Sequence, residues 1–308
     1  MSDDNVKATA QKITPNLWFD SQAEEAVEFY VSVFPDSSVG DISRYDGAAA
    51  EVSGQAEGSA MTVPFELAGY RFVALNGGPQ FKLTPAVSFF VYCDTVDEVD
   101  ELFAELSDGG AILMPLQAYP FSDRYGWVQD KYGLSWQLYL GHSRGPKIAP
   151  ALLFVGEQSG KAEDAIQLYT SLFEDAHIED IARYGQGEAP EVEGTVKQAS
   201  FWLHGQEFMA MDSNREHNFT FNEAISFIVD CQDQGEVDHY WQGFTEGGEE
   251  GPCGWLKDEY GVSWQIIPTA LTELLQDEDA EKAGRVMQAM LQMKKIEVKQ
   301  LERAYRGE

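Results

Sequence analysis

The chain has 308 residues, 44% of them hydrophobic, which is room for about two domains of ordinary size, each able to bury a core without staples. Its 52 acidic against 21 basic side chains give a formal charge of −31, which repels nucleic acid and anionic membranes and disfavours both as partners. Three cysteines, Cys93, Cys231 and Cys253, make no disulfide framework, no apolar run is long enough for a membrane helix, and Met1–Gln11 lacks the apolar core of a signal peptide, so a cytoplasmic protein is expected.

After the polar leader, Ile13–Phe19 reads as a strand, and Asp20 or Ser21 is placed to cap the following helix. On that helix Ala26, Phe29, Tyr30, Val33 and Phe34 make one buried stripe, which Pro35-Asp36 stops. Val39–Tyr45 reads as a strand and 46–59, rich in Gly, Ala and Ser, as a loop. Met61–Leu67 and Tyr70–Asn76 form a hairpin around Ala68-Gly69. The order is β-α-β-β-β. It recurs as the strand Ala86–Cys93, a helix Thr95–Leu106 with the stripe Val99, Leu102, Phe103, Leu106, the strand Ala111–Gln117 and a hairpin over 126–140.

Gly126-Trp127-Val128-Gln129-Asp130-Lys131-Tyr132-Gly133-Leu134-Ser135-Trp136-Gln137 then returns 128 residues later as Gly254-Trp255-Leu256-Lys257-Asp258-Glu259-Tyr260-Gly261-Val262-Ser263-Trp264-Gln265. A period this long with matched Gly, Asp, Tyr, Ser, Trp and Gln is an internal repeat. The copies are expected at 12–141 and 148–268, joined by Gly141–Lys147, with a tail at 269–308. In copy two Ala165, Leu168, Tyr169, Leu172 and Phe173 repeat the first helix stripe, and Ala224–Cys231, a helix near Glu236–Phe244 and the hairpin 254–267 complete the set. The strand before that hairpin is obscured by the acidic, Gly-rich 246–252. Asp277, Asp279 and Glu281 open a tail helix and Lys294-Lys295 close it, matching its dipole. Its apolar side, Val286, Met287, Met290, Leu291 and Met293, either packs across the two domains or supplies a homodimer contact.

The segments Trp18-Phe19-Asp20, Ala23-Glu24-Glu25-Ala26, Phe29-Tyr30, Phe34-Pro35, Leu75-Asn76-Gly77-Gly78-Pro79, Cys253-Gly254-Trp255-Leu256-Lys257-Asp258 and both Ser-Trp-Gln triplets carry a resemblance, as do Glu281-Lys282-Ala283 and Val286-Met287-Gln288-Ala289-Met290. In these the chain resembles the PhnB-like branch of the glyoxalase, or vicinal-oxygen-chelate, superfamily, whose members often bear the name 3-demethylubiquinone-9 3-methyltransferase. The resemblance implies an α+β fold: tandem glyoxalase-like domains, each with two βαβββ modules forming a curved, mixed eight-stranded sheet around a cavity, plus C-terminal helices. Methyl transfer is not carried over with the name. None of the glycine pairs Gly77-Gly78, Gly109-Gly110 and Gly247-Gly248 lies in a G-x-G-x-x-G context, and other donor folds leave it as an alternative.

Enzymes of the superfamily place His, Glu or Gln on the first, fifth and last strands to hold a divalent metal. Here the last-strand positions are Gln137 and Gln265, and no His, Asp, Glu or Cys falls near Pro15 or Pro150, or at Ala86–Ser88 or Ala224–Ser226. No metal or other cofactor is therefore expected. Period two puts Ser135, Gln137 and Tyr139 on one face of the last strand, with Ser263, Gln265 and Ile267 their counterparts. These amides and hydroxyls either satisfy one another or orient a small polar ligand. The expected cavity set is Ser135, Gln137, Tyr139, Asn76 and Arg124 in copy one, and Ser263, Gln265, Asp212 and Trp255 in copy two. Arg124 would meet an anionic group. Cys253 and Asp212, at the places of Tyr125 and Asn76, are the candidates for catalysis, with no role assigned. Three functions stand: a small-molecule binding protein with a metal-free cavity, an enzyme of the superfamily (transferase, isomerase or lyase), and a structural or interaction module.

Overall fold

In the computed structural model, which describes residues 11–45, 47, 50 and 54–308, the apolar periods become four βαβββ modules. Module one holds β1 (Ile13–Phe19), α1 (Ala23–Val33), β2 (Ser38–Val39), β3 (Ser43–Arg44), β4 (Ala60–Leu67) and β5 (Tyr70–Asn76). Module two holds β6 (Val87–Cys93), α2 (Val96–Ser107), β7 (Ala111–Tyr119), β8 (Ser122–Gln129) and β9 (Ser135–Leu140). Module three holds β10 (Ile148–Val155), α3 (Ala162–Leu172), β11 (His177–Arg183), β12 (Val196–Leu203) and β13 (Gln206–Ser213). Module four holds β14 (Ile225–Cys231), α4 (Gln234–Thr245), β15 (Glu249–Glu250), β16 (Trp255–Lys257) and β17 (Ser263–Pro268). The strand expected over Val39–Tyr45 is two short pieces, and part of the expected loop 46–59, like the leader 1–10, lies outside the described residues.

There are two mixed sheets, each built from two modules, but the modules come from different copies. One sheet runs β15-β16-β17-β14-β1-β5-β4-β2, with β3 also on β4; the other runs β11-β12-β13-β10-β6-β9-β8-β7. The expectation that each copy closes its own sheet is thereby corrected. Modules one and four share the first sheet through an antiparallel seam, β1 on β14, with Asn16 opposite Ser226. Modules two and three share the second through β6 on β10, with Ser88 opposite Ala151. The short linker Gly141–Lys147 delivers β10 directly beside the strand it pairs with, as brief connections usually do.

What each copy does keep to itself is aromatic packing. On the convex, helix-bearing sides Tyr30, Phe34 and Phe89 surround Trp136 with ring centres 5.0–5.6 Å apart, and Phe72 meets Phe89 edge-on at 5.0 Å. Copy two repeats this with Tyr169, Phe173, Phe227 and Phe244 around Trp264. Burying such rings supplies much of the apolar stabilisation and orients the helices.

The repeated Asp-x-Tyr-Gly-x-Ser-Trp motif serves this core. Asp130 Oδ1 accepts the Tyr132 and Leu134 N–H groups at 2.9 and 3.0 Å, and its Oδ2 accepts the Trp136 indole N–H at 2.8 Å. Asp258 makes the same three bonds with Tyr260, Val262 and Trp264, and takes a fourth from the Tyr169 hydroxyl at 2.7 Å. One carboxylate thus closes the turn and pins the central Trp, with Gly133 and Gly261 at positive φ finishing it.

The helix starts are satisfied in two ways. Thr95 and Asp233 cap α2 and α4 with their own side chains. For α1 the expected Asp20 or Ser21 cap is absent among the described residues, and the end of β5 does the work. Asn76 Oδ1 accepts the Ala23 N–H at 2.8 Å while its Nδ2 donates to the Ala60 carbonyl at 3.0 Å. Asp212, on β13, takes the N–H groups of Gly160 and Ala162 at the start of α3 and that of Val196 at the start of β12.

Copy two is shortened before its last hairpin. Ser88 and Ser226 are 138 residues apart but Gln137 and Gln265 only 128, so ten residues are missing in between. The long β7–β8 ribbon is reduced to β15 and β16, and the tail fills in. It is three short helices, α5 (Thr269–Leu275), α6 (Ala280–Met290) and α7 (Val298–Arg306), with their own core of Leu271, Val286, Met293, Ile296 and Leu301. Lys294-Lys295 lies between α6 and α7, not at the end of one helix as expected. The backbone N–H groups of Cys253 and Gly254 donate to the Met293 and Lys294 carbonyls at 2.8 and 2.7 Å, and Lys294 and Lys295 pair with Glu250 and Asp238. The tail therefore packs on module four rather than across the copies.

Two tests follow from these carboxylates. Burial raises Asp130 and Asp258 from the ordinary 3.8 to about 6 against the opposing pull of their hydrogen bonds. The folded chain then binds these protons more tightly than the unfolded one, so their contribution is full below about pH 3.8, declines up to about pH 6 and is flat above. Melting of wild type against Asp130→Asn/Asp258→Asn should show a gap that widens as the pH is lowered from about 7 to 4.5. Asp212→Ala, which strands the buried N–H groups of Ala162 and Val196 and frees that of Gly160, should cost about 2–4 kcal/mol in urea unfolding, against a few tenths for an exposed acid such as Asp108.

Candidate functional site

Each sheet curves so that alternate residues face a concave side away from the shared cores. Cup A, from modules one and four, presents Thr14, Asn16 and Trp18 of β1, Val73 and Leu75 of β5, Ser226 and Ile228 of β14, and Ser263, Gln265 and Ile267 of β17. Cup B, from modules two and three, presents Ala149, Ala151 and Leu153, Met209 and Met211, Ser88 and Phe90, and Ser135, Gln137 and Tyr139 at the matching places. The two are the same frame with different contents.

Cup B is filled and internally satisfied. Phe90, Tyr125, Ala149, Ala151 and Met209 form a buried apolar cluster against which Tyr92, Met114, Tyr119, Trp127, Tyr139 and Met211 pack. Gln137 donates from Nε2 to Ser88 Oγ at 2.9 Å and accepts the Tyr125 hydroxyl on Oε1 at 2.6 Å. Ser135 Oγ accepts the Trp127 indole N–H at 2.7 Å. Burial pushes the Tyr125 phenol up, so it stays a neutral donor. Every polar group on this floor has found a partner on the protein.

Cup A is the more polar of the two. Val73, Leu75, Ile228 and Ile267 stand where cup B has Met209, Met211, Phe90 and Tyr139, and all four remain half-buried, so solvent reaches the floor. Asn16, 3% exposed, replaces Ala151, and Trp18 replaces Leu153. Gln265 Nε2 donates to Ser226 Oγ at 2.9 Å, and Asn16 Nδ2 approaches the same oxygen at 3.5 Å. The carbonyl oxygens of both amides accept no hydrogen bond from the described residues. Ser263, 1% exposed, has no partner for its hydroxyl among the described residues. Buried polar groups are nearly always paired, so the unpartnered Ser263 hydroxyl singles out this floor as a candidate site. The rim is aromatic: Trp18 meets Phe81 and Trp255 edge-on at 5.0 and 6.2 Å and donates its indole N–H to the Gly78 carbonyl at 2.8 Å. A Cβ at Gly77 would lie 2.2 Å from the Trp18 ring, which explains the Gly77-Gly78 pair.

The expected cavity residues divide accordingly. Gln265, Ser263 and Trp255 meet in cup A, and Gln137, Ser135 and Tyr139 in cup B. Asn76 and Asp212 are corrected: both sit on the convex side of their sheets as helix caps, only 3% and 1% exposed. Arg124 is corrected too, since it points to the helix side and its Nε donates to Asp100 of α2 at 2.6 Å. Cys253 lies off the strand against the tail, and burial raises its thiol, which disfavours the thiolate. Asp212 is raised by burial and committed to three backbone N–H groups on the helix side of its sheet. Asn16 and Trp18 were not foreseen as neighbours of Gln265, because each copy was expected to close its own sheet, and Ser226 was weighed only as a place for a metal ligand.

The superfamily's metal does not suit these donors. At the ligand-bearing strands cup A offers two neutral amides and serine hydroxyls, cup B one amide, one serine and apolar side chains, with no imidazole or carboxylate to neutralise a dication. Among the described residues no three His, Cys, Asp or Glu side chains converge. A groove of about 740 Å³ on the outer surface, between the end of α1 and α2, is walled by Val31, Phe34, Leu102 and the carboxylates of Glu98, Glu101 and Glu105. It holds no buried unpaired polar group, so cup A remains the stronger site.

Residues 11–139 and 146–267 each match the model of the family 3-demethylubiquinone-9 3-methyltransferase. Among solved structures, the PhnB protein from Bacillus cereus, which bears the same methyltransferase name, is 45% identical over 42% of this chain and 100% of its own, with a TM-score of 0.39. A protein from Staphylococcus aureus is 36% identical over 43% and 97%, with a TM-score of 0.18. Glyoxalase I from Zea mays, 12% identical over 86% and 95%, shares the fold with a TM-score of 0.51. No curated protein sequence matches. With its model matched in both copies over most of the chain, the protein belongs to the 3-demethylubiquinone-9 3-methyltransferase family, carried on a tandem glyoxalase-like fold.

Proposed function

We propose that this protein binds a small organic molecule in cup A, without a metal, and that cup B is its structural counterpart. The observation that carries the reading is the contrast between matched residues. Ser135 and Gln137 find partners on the protein, whereas the Ser263 hydroxyl is buried without one among the described residues and the oxygens of Gln265 and Asn16 accept no hydrogen bond from them. A pocket with aromatic walls and a few converging polar groups is the usual form of a small-molecule site. The overall charge of −31 favours a neutral or cationic ligand over an anion.

The activity in the family's name is methyl transfer, which needs a base or an ionised acceptor beside the donor. The groups at this floor are amides and hydroxyls, suited to orienting a molecule by hydrogen bonds rather than to moving a proton. Binding is therefore the function adopted, in a reducing cytosol as the free cysteines suggest. Among the described residues no helix is long and apolar enough to cross a membrane.

A screen of neutral and cationic aromatic fragments by ligand-observed NMR tests this on the full chain. Fragments that bind wild type should lose about tenfold or more in affinity with Asn16→Ala or Gln265→Leu and keep it with Tyr125→Phe, which alters cup B. Binding that ignores the cup A changes, or that depends on Tyr125, would contradict the proposal.

A further inference from the structure

The two cups hold one Trp–Ser pair each, at the same strand positions, and only one pair is made. In cup B the indole N–H of Trp127 donates to Ser135 Oγ at 2.7 Å. In cup A Trp255 occupies the place of Trp127, two strands from β1, and is paired with Gln265 as Trp127 is with Gln137. Yet Trp255 makes no bond to Ser263. Its ring meets Trp18 edge-on at 6.2 Å instead, an aromatic partner cup B lacks because Leu153 stands at that position. The hydroxyl that an aromatic N–H satisfies in one cup is buried without a partner among the described residues in the other.

Copy one thus displays the complement of this serine: a flat aromatic ring with a hydrogen-bond donor on its edge. We propose that cup A takes a planar aromatic molecule whose ring N–H or phenolic O–H donates to Ser263, in the position that Trp127 holds over Ser135. This rests on the reading of cup A as the binding site and names its ligand class. The surroundings fit that class. Trp18 and Trp255 offer ring edges and faces to a flat molecule, and the half-buried Val73, Leu75 and Ile228 offer it apolar surface. The carbonyl oxygens of Asn16 and Gln265 would accept further donors, and the aromatic-amine or phenol end would face them.

Isothermal titration of the full chain with indole and with 1-methylindole, which differ in the N–H, tests the assignment. Wild type should bind indole about tenfold more tightly than 1-methylindole, and Ser263→Ala should bring the two within about twofold, since a donor-for-hydroxyl pairing is what separates them. Ser263→Thr, which keeps the hydroxyl, should restore the preference. Equal affinity for both probes in wild type, or a preference that survives Ser263→Ala, overturns the ligand class. If Asn16→Ala still weakens those probes, the reading of cup A as a binding site stands without it. Failure of both probes also overturns the ligand class, and the fragment screen then decides separately whether cup A binds at all.

Discussion

The antiparallel seam between β1 and β14 is the constraint on which the rest depends. It sets Asn16 and Trp18, from the start of the chain, against Ser226, more than two hundred residues later, with Gln265 and Ser263 on the next strand. Neither copy contains this group of residues alone. The cost of bringing distant strands together grows only slowly with the length of chain between them, and here it is offset by a hydrophobic core that runs through both copies. Gln206 reinforces the seam, since its amide both accepts from and donates to the backbone of Ile13 at 2.7 Å.

Duplication gave two cups on one frame, and the side chains then diverged. Where cup B has Met, Phe and Tyr it behaves as a second hydrophobic core. Where cup A has Asn16, Val73 and Ile228 it keeps a buried amide beside half-buried aliphatic side chains. The shortened hairpin of module four belongs to the same divergence, because the tail now holds the Cys253-Gly254 backbone and so the base of Trp255. The helices at the end of the chain are in this sense part of the wall of cup A.

The helix stripes, the strand alternation and the 128-residue repeat were legible, because apolar periodicity and matched motifs are local signals. So was the poverty of metal ligands at the last strands, which follows from residue type alone. The exchange of modules was not. Periodicity says which face of a strand is buried but not which strand lies beside it, and near-identical modules make both pairings chemically reasonable. That single ambiguity hid Asn16 and Trp18 as neighbours of Gln265. Asn76, Asp212 and Arg124 were misplaced for a different reason. A polar residue at the end of a strand reads alike whether it faces a cavity or a helix N-terminus, and only the three-dimensional partner decides. The Asp130 and Asp258 motif was seen as a turn, while its hold on Trp136 and Trp264 across the strand required the folded geometry.

Pairing of cysteines placed on the seam tests the central claim most directly. In a chain with Cys93, Cys231 and Cys253 replaced by alanine, Asn16→Cys/Ser226→Cys should oxidise to a link within one chain, seen by peptide mass. Asn16→Cys/Ser88→Cys, the equivalent pair if each copy closed its own sheet, should stay reduced. A link between positions 16 and 88, with none between 16 and 226, would contradict the account.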